Sequence, residues 1–373
     1  MMLAQAAILD GPDTEFVIHD VEIREPGPGE VLVSIRAVGM CHTDITARHS
    51  PIPLPFPVVL GHEGAGTVEA VGAGVTAVRP GDRVVLTYDS CGNCGNCHTG
   101  QPGYCSEFFG RNLTGRGIGG SSPLRRAGEE IGGRWFGQSS FATHAVVAQR
   151  CVVKVGDELP FSELAPLGCG VQTGVGAVVH TLGLRLGESL VVFGAGAVGL
   201  SAVMAARACG ASQVIAVDLH QSRRDLALEL GATQAFDGAD PDLAKRVVAA
   251  TGGCDYALDT TGVPAVMNTA LATLRSRGTL GIVGSTSAKL TFATGAMATK
   301  RIAFLFEGDA TPQEFIPKLV ALRLAGRLPF DRLITTFDLA DINAAEAASI
   351  DGSVVKPVLV TGTDRDGASS GES

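Results

Sequence analysis

The chain predicts an α/β fold, a β-rich domain joined to a doubly wound parallel sheet. Three observations carry that expectation. Residues 1–90 break into short runs of strand-like residues separated by Gly/Pro turns. From Leu190 onward, strand-like runs alternate with helix-like ones, the pattern of a parallel sheet with helical crossovers. At that switch, Gly194-Ala195-Gly196-Ala197-Val198-Gly199 spells G-x-G-x-x-G between a β-branched run and an Ala-rich run.

The bounds agree with this. A chain of 373 residues with 45% apolar and 18% charged residues can bury large cores, and the length favours two domains or one with a large insertion. A net charge of −9 leaves no basic stripe to neutralise phosphates, which argues against a nucleic-acid partner. Met1–Leu9 carries no basic residue and Asp10 ends its apolar run, so no signal peptide is expected. Ser189–Ala206 is uncharged over 18 residues, the lower edge of membrane-spanning length, but its three glycines divide it into a strand piece and a helix piece. A cytoplasmic chain with no membrane partner is therefore expected.

In order, Gln5–Leu9, Phe16–Val21 and Val31–Ala37 read as strands, punctuated by Gly11-Pro12 and Pro26-Gly27-Pro28-Gly29. Met40–Ala47 could begin a short helix with Cys41 and Asp44 on one face at i, i+3. Pro51, Pro53, Pro55 and Pro57 then impose an extended loop up to Gly61-His62-Glu63. Cys41 and His62 are ligand types suited to zinc, and the working expectation is that they hold a metal. Gly64–Val71 and Asp82–Leu86 return to strand character.

Residues 91–105 read C-G-N-C-G-N-C-H-T-G-Q-P-G-Y-C. In an intracellular chain such clustering points to metal rather than disulfides. Cys91, Cys94, Cys97 and Cys105 could close a tetrahedron around a structural zinc. An iron–sulfur cluster is the competing reading. His98 lies inside the loop as a bystander. Phe109–Arg134, rich in Gly, Arg and Ser, reads as a long surface loop. Phe136–Val147 and Cys151–Val155 read as strands and Phe161–Leu167 as a short helix. Cys169 then stands between Gly168 and Gly170; taken alone, it is more simply a small core residue than a ligand.

The later units are Leu190–Phe193, an Ala-rich helix, Gln213–Val217, Arg223–Leu230, Gln234–Phe236, Leu243–Thr251, Cys254–Asp259, a helix around Val266–Leu274, Thr279–Val283 and Ile302–Phe306. Gln313–Ala325 reads as a helix, Asp331–Val360 as closing strand, helix and strand, and Asp364–Ser373 as a disordered polar tail. Strand, glycine loop, helix and an acid some twenty residues on are the context of a dinucleotide site. There Gly194, Gly196 and Gly199 would let a pyrophosphate rest on the helix N-terminus. Asp218 would accept hydrogen bonds from both adenosine ribose hydroxyls, and its charge would repel a 2′-phosphate, favouring NAD over NADP.

Taken together, G-x-C-H-T-D, G-H-E-G-x-G, four spaced cysteines, G-C-G-x-x-T-G and G-x-G-x-x-G resemble the zinc-dependent medium-chain alcohol dehydrogenases over nearly the whole chain. Phe136–Ala142, Gly168–Gly174 and Phe193–Ala206 look most like the aryl-alcohol (benzyl alcohol) branch. The resemblance implies a split GroES-like catalytic domain (1–170 and 307–363) around a Rossmann coenzyme domain (171–306), and two zinc ions per chain. It makes Cys169 the third ligand of a catalytic zinc with Cys41 and His62. Glu63 would be the carboxylate beside that metal, Asp44 the group orienting His62, and Thr43 the hydroxyl on the bound alcohol. His42 would face the coenzyme pyrophosphate, Arg223 the adenosine ribose and Thr173 the nicotinamide.

The implied reaction is reversible oxidation of a primary alcohol to its aldehyde with hydride transfer to NAD, the partner being a small alcohol or aldehyde. Aliphatic or terpenoid alcohols, or a thiol adduct of formaldehyde, are the alternatives within the fold. A non-catalytic nucleotide-binding relative is the alternative outside it. A homodimer or homotetramer is expected. One position departs from many relatives: Thr46 stands where they carry a proton-relay His, and it cannot act as a base at neutral pH.

Overall fold

A computed structural model describes residues 1–49, 52–284 and 288–362; the expected tail at 364–373 lies outside the described residues. The chain divides into two units. One comprises Met1–Cys169, Thr311–Ala321 and the segment from Asp331 on, and the other Gly170–Ala310 with Leu322–Phe330.

In the first unit, the opening strands are β1 (Met2–Leu9), β2 (Val17–Ile23) and β3 (Glu30–Gly39), each a residue or more longer than its apolar run suggests. Helix α1 (His42–Ala47) follows, with Cys41 as its N-cap, so Cys41 and Asp44 do meet at the first turn. Next come β4 (Val58–Val59), β5 (Glu63–Val71) and β6 (Arg83–Leu86). β3 and β5 run antiparallel with Gly39 opposite Glu63. That register brings Cys41, just past the end of β3, beside His62, just before the start of β5.

The stretch expected to be a long loop is not one. Helix α2 (Gly95–His98) lies before it in the cysteine loop, the end of α3 (Phe108–Asn112) opens it, and strands β7 (Leu124–Arg126) and β8 (Glu129–Glu130) fall within it. β7 pairs with β2, a partner roughly a hundred residues away, so local Gly/Arg/Ser composition gives no hint of it. Likewise only His144–Ala148 (β9) of the expected strand from Phe136 is a strand. Trp135–Gly137 instead forms a tight turn in which Phe136 takes a left-handed conformation (φ 48°). The unit continues through β10 (Val152–Val155) and a short helix α4 (Phe161–Leu164), which gives way to a 3₁₀ turn at Ala165–Gly168.

The second unit opens with α5 (Gly170–Gly176) and holds a six-stranded parallel sheet. Its strands are β11 (Ser189–Phe193), β12 (Gln213–Asp218), β13 (Gln234–Asp237), β14 (Cys254–Asp259), β15 (Leu274–Ile282) and β16 (Arg301–Phe304), in the order 13-12-11-14-15-16. The order reverses at β11, the central strand. All five residues of β11 are buried, as expected of a parallel strand covered on both faces. The first four crossovers are served by α6 (Ala197–Ala208), α7 (Gln221–Glu229), α8 (Leu243–Thr251) and α9 (Pro264–Ala272). Leu274, expected to end α9, instead begins β15.

After helix Pro312–Leu324, the strands Ile334–Asp338 and Lys356–Val360 return to the first unit's seven-stranded sheet, flanking helix Ile342–Ile350. The Lys356–Val360 strand pairs antiparallel with the end of β3, Val358 lying opposite Gly39.

The glycine loop shows why its residues are what they are. Gly194 sits at φ 91°, a backbone state that L side chains rarely adopt. A Cβ on Gly199 would lie 1.8 Å from the Gly194 carbonyl oxygen, so helix and strand touch backbone to backbone there. Gly199→Ala is therefore expected to destabilise the chain by about 1–3 kcal/mol, the usual cost of overpacking. Thermal unfolding would show this as a lowered midpoint; a midpoint equal to the parent's would mean that the contact yields freely.

Candidate active site and coenzyme loop

The first site is built on a buried carboxylate. Asp44 is almost fully enclosed in α1 and accepts four hydrogen bonds. His62 Nδ1 lies 2.7 Å and the Trp135 Nε1–H 2.9 Å from Oδ1, which also takes the Gly61 N–H at 3.2 Å; Oδ2 takes the Cys41 N–H at 3.1 Å. With Nδ1 donating to Asp44, the His62 ring presents its other nitrogen, Nε2, as a lone pair. That atom is buried and has no hydrogen-bond partner in the protein. Phe136 stacks on the same imidazole, centroids 4.3 Å apart, so the ring is held in its plane as well as by its edge.

Around Nε2 the ligand atoms of Cys41, His62, Glu63 and Cys169 all lie within 4.8 Å of one another. An orphaned imidazole nitrogen facing two thiols is the donor set of a zinc site. For the thiol the electrostatics agree. A hydrogen bond from Cys169 and the neighbouring His62 outweigh burial and push the Cys41 thiol well down, toward the thiolate that binds metal. Burial works against a charged His62, yet the charge of Asp44 and its hydrogen bond push the imidazole up, so a metal bound at Nε2 would have to displace a proton there.

Glu63 is buried with a partner that the sequence reading missed. Lys356 Nζ lies 2.9 Å from both Glu63 oxygens and 3.1 Å from the Met40 carbonyl. Burial pushes Glu63 up while Lys356 pulls it back, and the carboxylate beside the lysine outweighs burial and keeps it charged. Gly39 makes room for this pair, since a Cβ there would lie 2.0 Å from Glu63 Oε2. Trp135, Phe136 and Gln138 were also missed as site residues. Gln138 Nε2 donates to the His62 carbonyl at 2.9 Å and its Oε1 accepts the Gly64 N–H at 3.1 Å, bracketing the ligand in the backbone. Two signals were available: Trp135 is the chain's one tryptophan, and Lys356 is the one charge in an apolar strand.

Thr43 lies within the first turn, its hydroxyl 3.7 Å from Cys41 Sγ. His42 is exposed beside it. Thr46 donates its hydroxyl to the His42 carbonyl at 3.0 Å, a bond closed within its own helix.

The cysteine loop forms the second group. The sulfurs of Cys91, Cys94, Cys97 and Cys105 lie within 4.8 Å of one another, and none of the four is in a disulfide. Backbone N–H groups of Cys94 and Cys91 point at the sulfurs of Cys91 and Cys105, 3.2 Å away in each case, as they do around thiolates bound to metal. His98 is exposed and stands outside the group.

In the second unit, Asp218 ends β12 and ties the glycine loop. Its Oδ2 accepts the Ala195 N–H at 2.7 Å and its Oδ1 the His220 N–H at 2.9 Å. Nothing lies within 4 Å of where a Cβ on Gly196 would stand, so backbone is open to a ligand at the head of α6. Arg223 carries a buried Nε without a partner. Thr173 is buried in α5, which touches α6 through Gly174; a Cβ there would lie 2.1 Å from the Val198 carbonyl oxygen. These residues fit a dinucleotide.

Residues 27–157 match the alcohol dehydrogenase GroES-like domain and residues 197–321 the zinc-binding dehydrogenase domain. The geraniol dehydrogenase of Castellaniella defragrans is 47% identical, covering 96% of this chain and 97% of that protein. The chain belongs to the zinc-dependent medium-chain alcohol dehydrogenases. Two solved structures of this family share the fold with TM-scores of 0.93. One is an alcohol dehydrogenase zinc-binding domain protein from Burkholderia ambifaria, 46% identical over 96% of this chain and 99% of that one. The other is the benzyl alcohol dehydrogenase of Acinetobacter calcoaceticus, 40% identical over 97% and 100%. The chain is thus a zinc alcohol dehydrogenase. Among the described residues, no helix is long and apolar enough to cross a membrane.

Each cysteine group is expected to hold one zinc, so metal analysis should find two per chain. Cys91→Ser should lower that to one. A single zinc in the parent, unchanged by Cys91→Ser, would remove the structural assignment.

Proposed function

We propose that this enzyme reversibly oxidises primary alcohols carrying an aryl or allylic group to aldehydes, using NAD as hydride acceptor. The observation that carries the reading is the buried, unpartnered His62 Nε2 facing Cys41 and Cys169. Zinc at such a site supplies a Lewis acid that lowers the pKa of an alcohol; NAD supplies the hydride acceptor.

The chain does the rest. Cys41, His62 and Cys169 would hold the metal, three protein ligands rather than a closed shell of four. Asp44 keeps His62 in the tautomer that presents Nε2, and Phe136 keeps its ring in plane. Glu63, with Lys356 on both of its oxygens, is restrained from becoming a fourth permanent ligand. Thr43 accepts the hydrogen bond of the alcohol hydroxyl and passes its proton outward. Thr46, its own hydroxyl committed to the His42 carbonyl, takes no part, and solvent completes the path. Gly194, Gly196 and Gly199 would seat the pyrophosphate, the group to which the family resemblance also assigns His42. Asp218 accepts the ribose hydroxyls, Arg223 flanks the adenosine and Thr173 the nicotinamide. Two zinc ions serve each chain, the second held by Cys91, Cys94, Cys97 and Cys105. The chain assembles as a homodimer or homotetramer; support comes from β16 at the sheet edge, where Phe304 is 59% exposed.

The aryl or allylic preference rests on relatives named for geraniol and benzyl alcohol. Both alcohols place a π bond next to the carbon that loses hydride, which conjugates the product aldehyde. Initial rates on benzyl, cinnamyl and geranyl alcohols should exceed those on straight-chain alcohols and on the glutathione adduct of formaldehyde by about tenfold or more, a difference of roughly 1.4 kcal/mol in barrier. Equal rates across the panel would remove the preference. In the same assay Cys169→Ala should lose turnover while NADH still binds; full activity would overturn the ligand set. The coenzyme reading predicts NADH favoured over NADPH in the parent and the preference relaxed in Asp218→Ser. NADPH working better in the parent would overturn the role of Asp218.

A further inference from the structure

Beside the cysteine loop that begins at Cys91, the first unit holds a cavity of about 350 Å³. Five arginines line it: Arg24, Arg111, Arg116, Arg134 and Arg150. The chain has only 29 basic residues and a net charge of −9, so five guanidiniums around one cavity go against its overall balance.

Two lining carboxylates hold four of the five arginines in place without neutralising them. Glu30 bridges Arg24 and Arg134 (Nη1 2.5 Å and Nη2 2.8 Å from Arg24, Nη2 2.5 Å from Arg134) and takes the Gly27 N–H at 2.8 Å. Burial would push the Glu30 carboxyl up, but these donors outweigh burial and hold it at about 2. Asp89 bridges Arg111 and Arg150 at 3.0 and 3.1 Å. Just outside the lining, Glu107 pairs with Arg111 and Glu130 with Arg116. Counting all four carboxylates still leaves one positive charge in excess.

Donor capacity is in excess too. A guanidinium carries five N–H donors. Hydrogen bonds to protein account for three on Arg24 and on Arg111, two on Arg134 and on Arg150, and one on Arg116. Planar forks whose positions are set by shared carboxylates are pre-organised for an oxyanion, which they can grip with paired donors. The cavity is at the small end of ligand sites and larger than a bare phosphate needs.

We propose that this cavity is an anion site for a small phosphomonoester, distinct from the catalytic and coenzyme sites. Its occupant would also brace the cysteine loop, because Arg150 Nη1 donates to the Cys91 carbonyl at 3.0 Å while its Nε holds Asp89.

The test is calorimetric titration of the zinc-loaded full chain with glycerol 3-phosphate and with inorganic phosphate. Saturating NADH blocks the coenzyme's own phosphate site, and chloride is matched for ionic strength. Saturable binding is expected, tighter for the ester than for phosphate. Arg116→Gln should weaken it about tenfold, the worth of one charged hydrogen bond, with turnover unchanged. Arg24→Gln/Arg116→Gln should abolish it; if that double variant fails to fold, Arg116→Gln alone decides. No saturable binding, or binding that Arg116→Gln leaves intact, would overturn the proposal.

Discussion

The active-site half of the molecule depends on the burial of one carboxylate. A charged group taken out of water costs several kcal/mol unless its oxygens are fully hydrogen-bonded. Asp44 meets that demand with donors from three separate stretches: the end of β3 at Cys41, the turn at Gly61-His62 and the turn at Trp135. Each donor fixes something the site needs. Cys41 N–H sets the thiol at the head of α1, His62 is turned to face it, and Trp135 brings Phe136 onto the imidazole. The strained left-handed backbone of Phe136 belongs to this arrangement, held by a neighbourhood that leaves the ring little alternative.

A second buried charge pair completes the balance. Glu63 and Lys356 satisfy one another beside the thiols, in a place where either alone would be costly. The lysine arrives on a strand from the far end of the chain, paired to β3 opposite Gly39. The positive charge near Cys41 also favours its thiolate, so the pair helps prepare a ligand as well as steadying a carboxylate. Removing Lys356 would thus disturb charge at both Glu63 and Cys41.

The coenzyme unit applies the same economy with backbone in place of charge. Asp218 binds the Ala195 N–H, so the residue proposed to select the ribose also braces the glycine loop. Close contact between Gly199 and the Gly194 carbonyl leaves the head of α6 open at Gly196. The arginine cavity stands in contrast to both sites. There the charges are partly exposed and unbalanced, as expected of a surface that awaits a partner of opposite sign.

Much of this was written in the sequence. The parallel sheet was legible because each unit carries its own local period, and β14 and α8 fall where the residues place them. Both cysteine groups were legible because Cys and His at such spacings have few other uses in one chain. Cys169 was legible only by family resemblance, since a lone cysteine between glycines has no local signature of a ligand. Tertiary structure alone decided the rest. Strand β7 was mistaken for loop because its partner β2 is far away in the chain, and the two-residue β8, which pairs only with β7, was missed along with it. Lys356, Trp135 and Phe136 entered the site because a buried charge and a buried ring nitrogen must be satisfied by whatever the fold brings near. Sequence therefore determined which atoms could bind metal and coenzyme, and packing decided which neighbours hold them there.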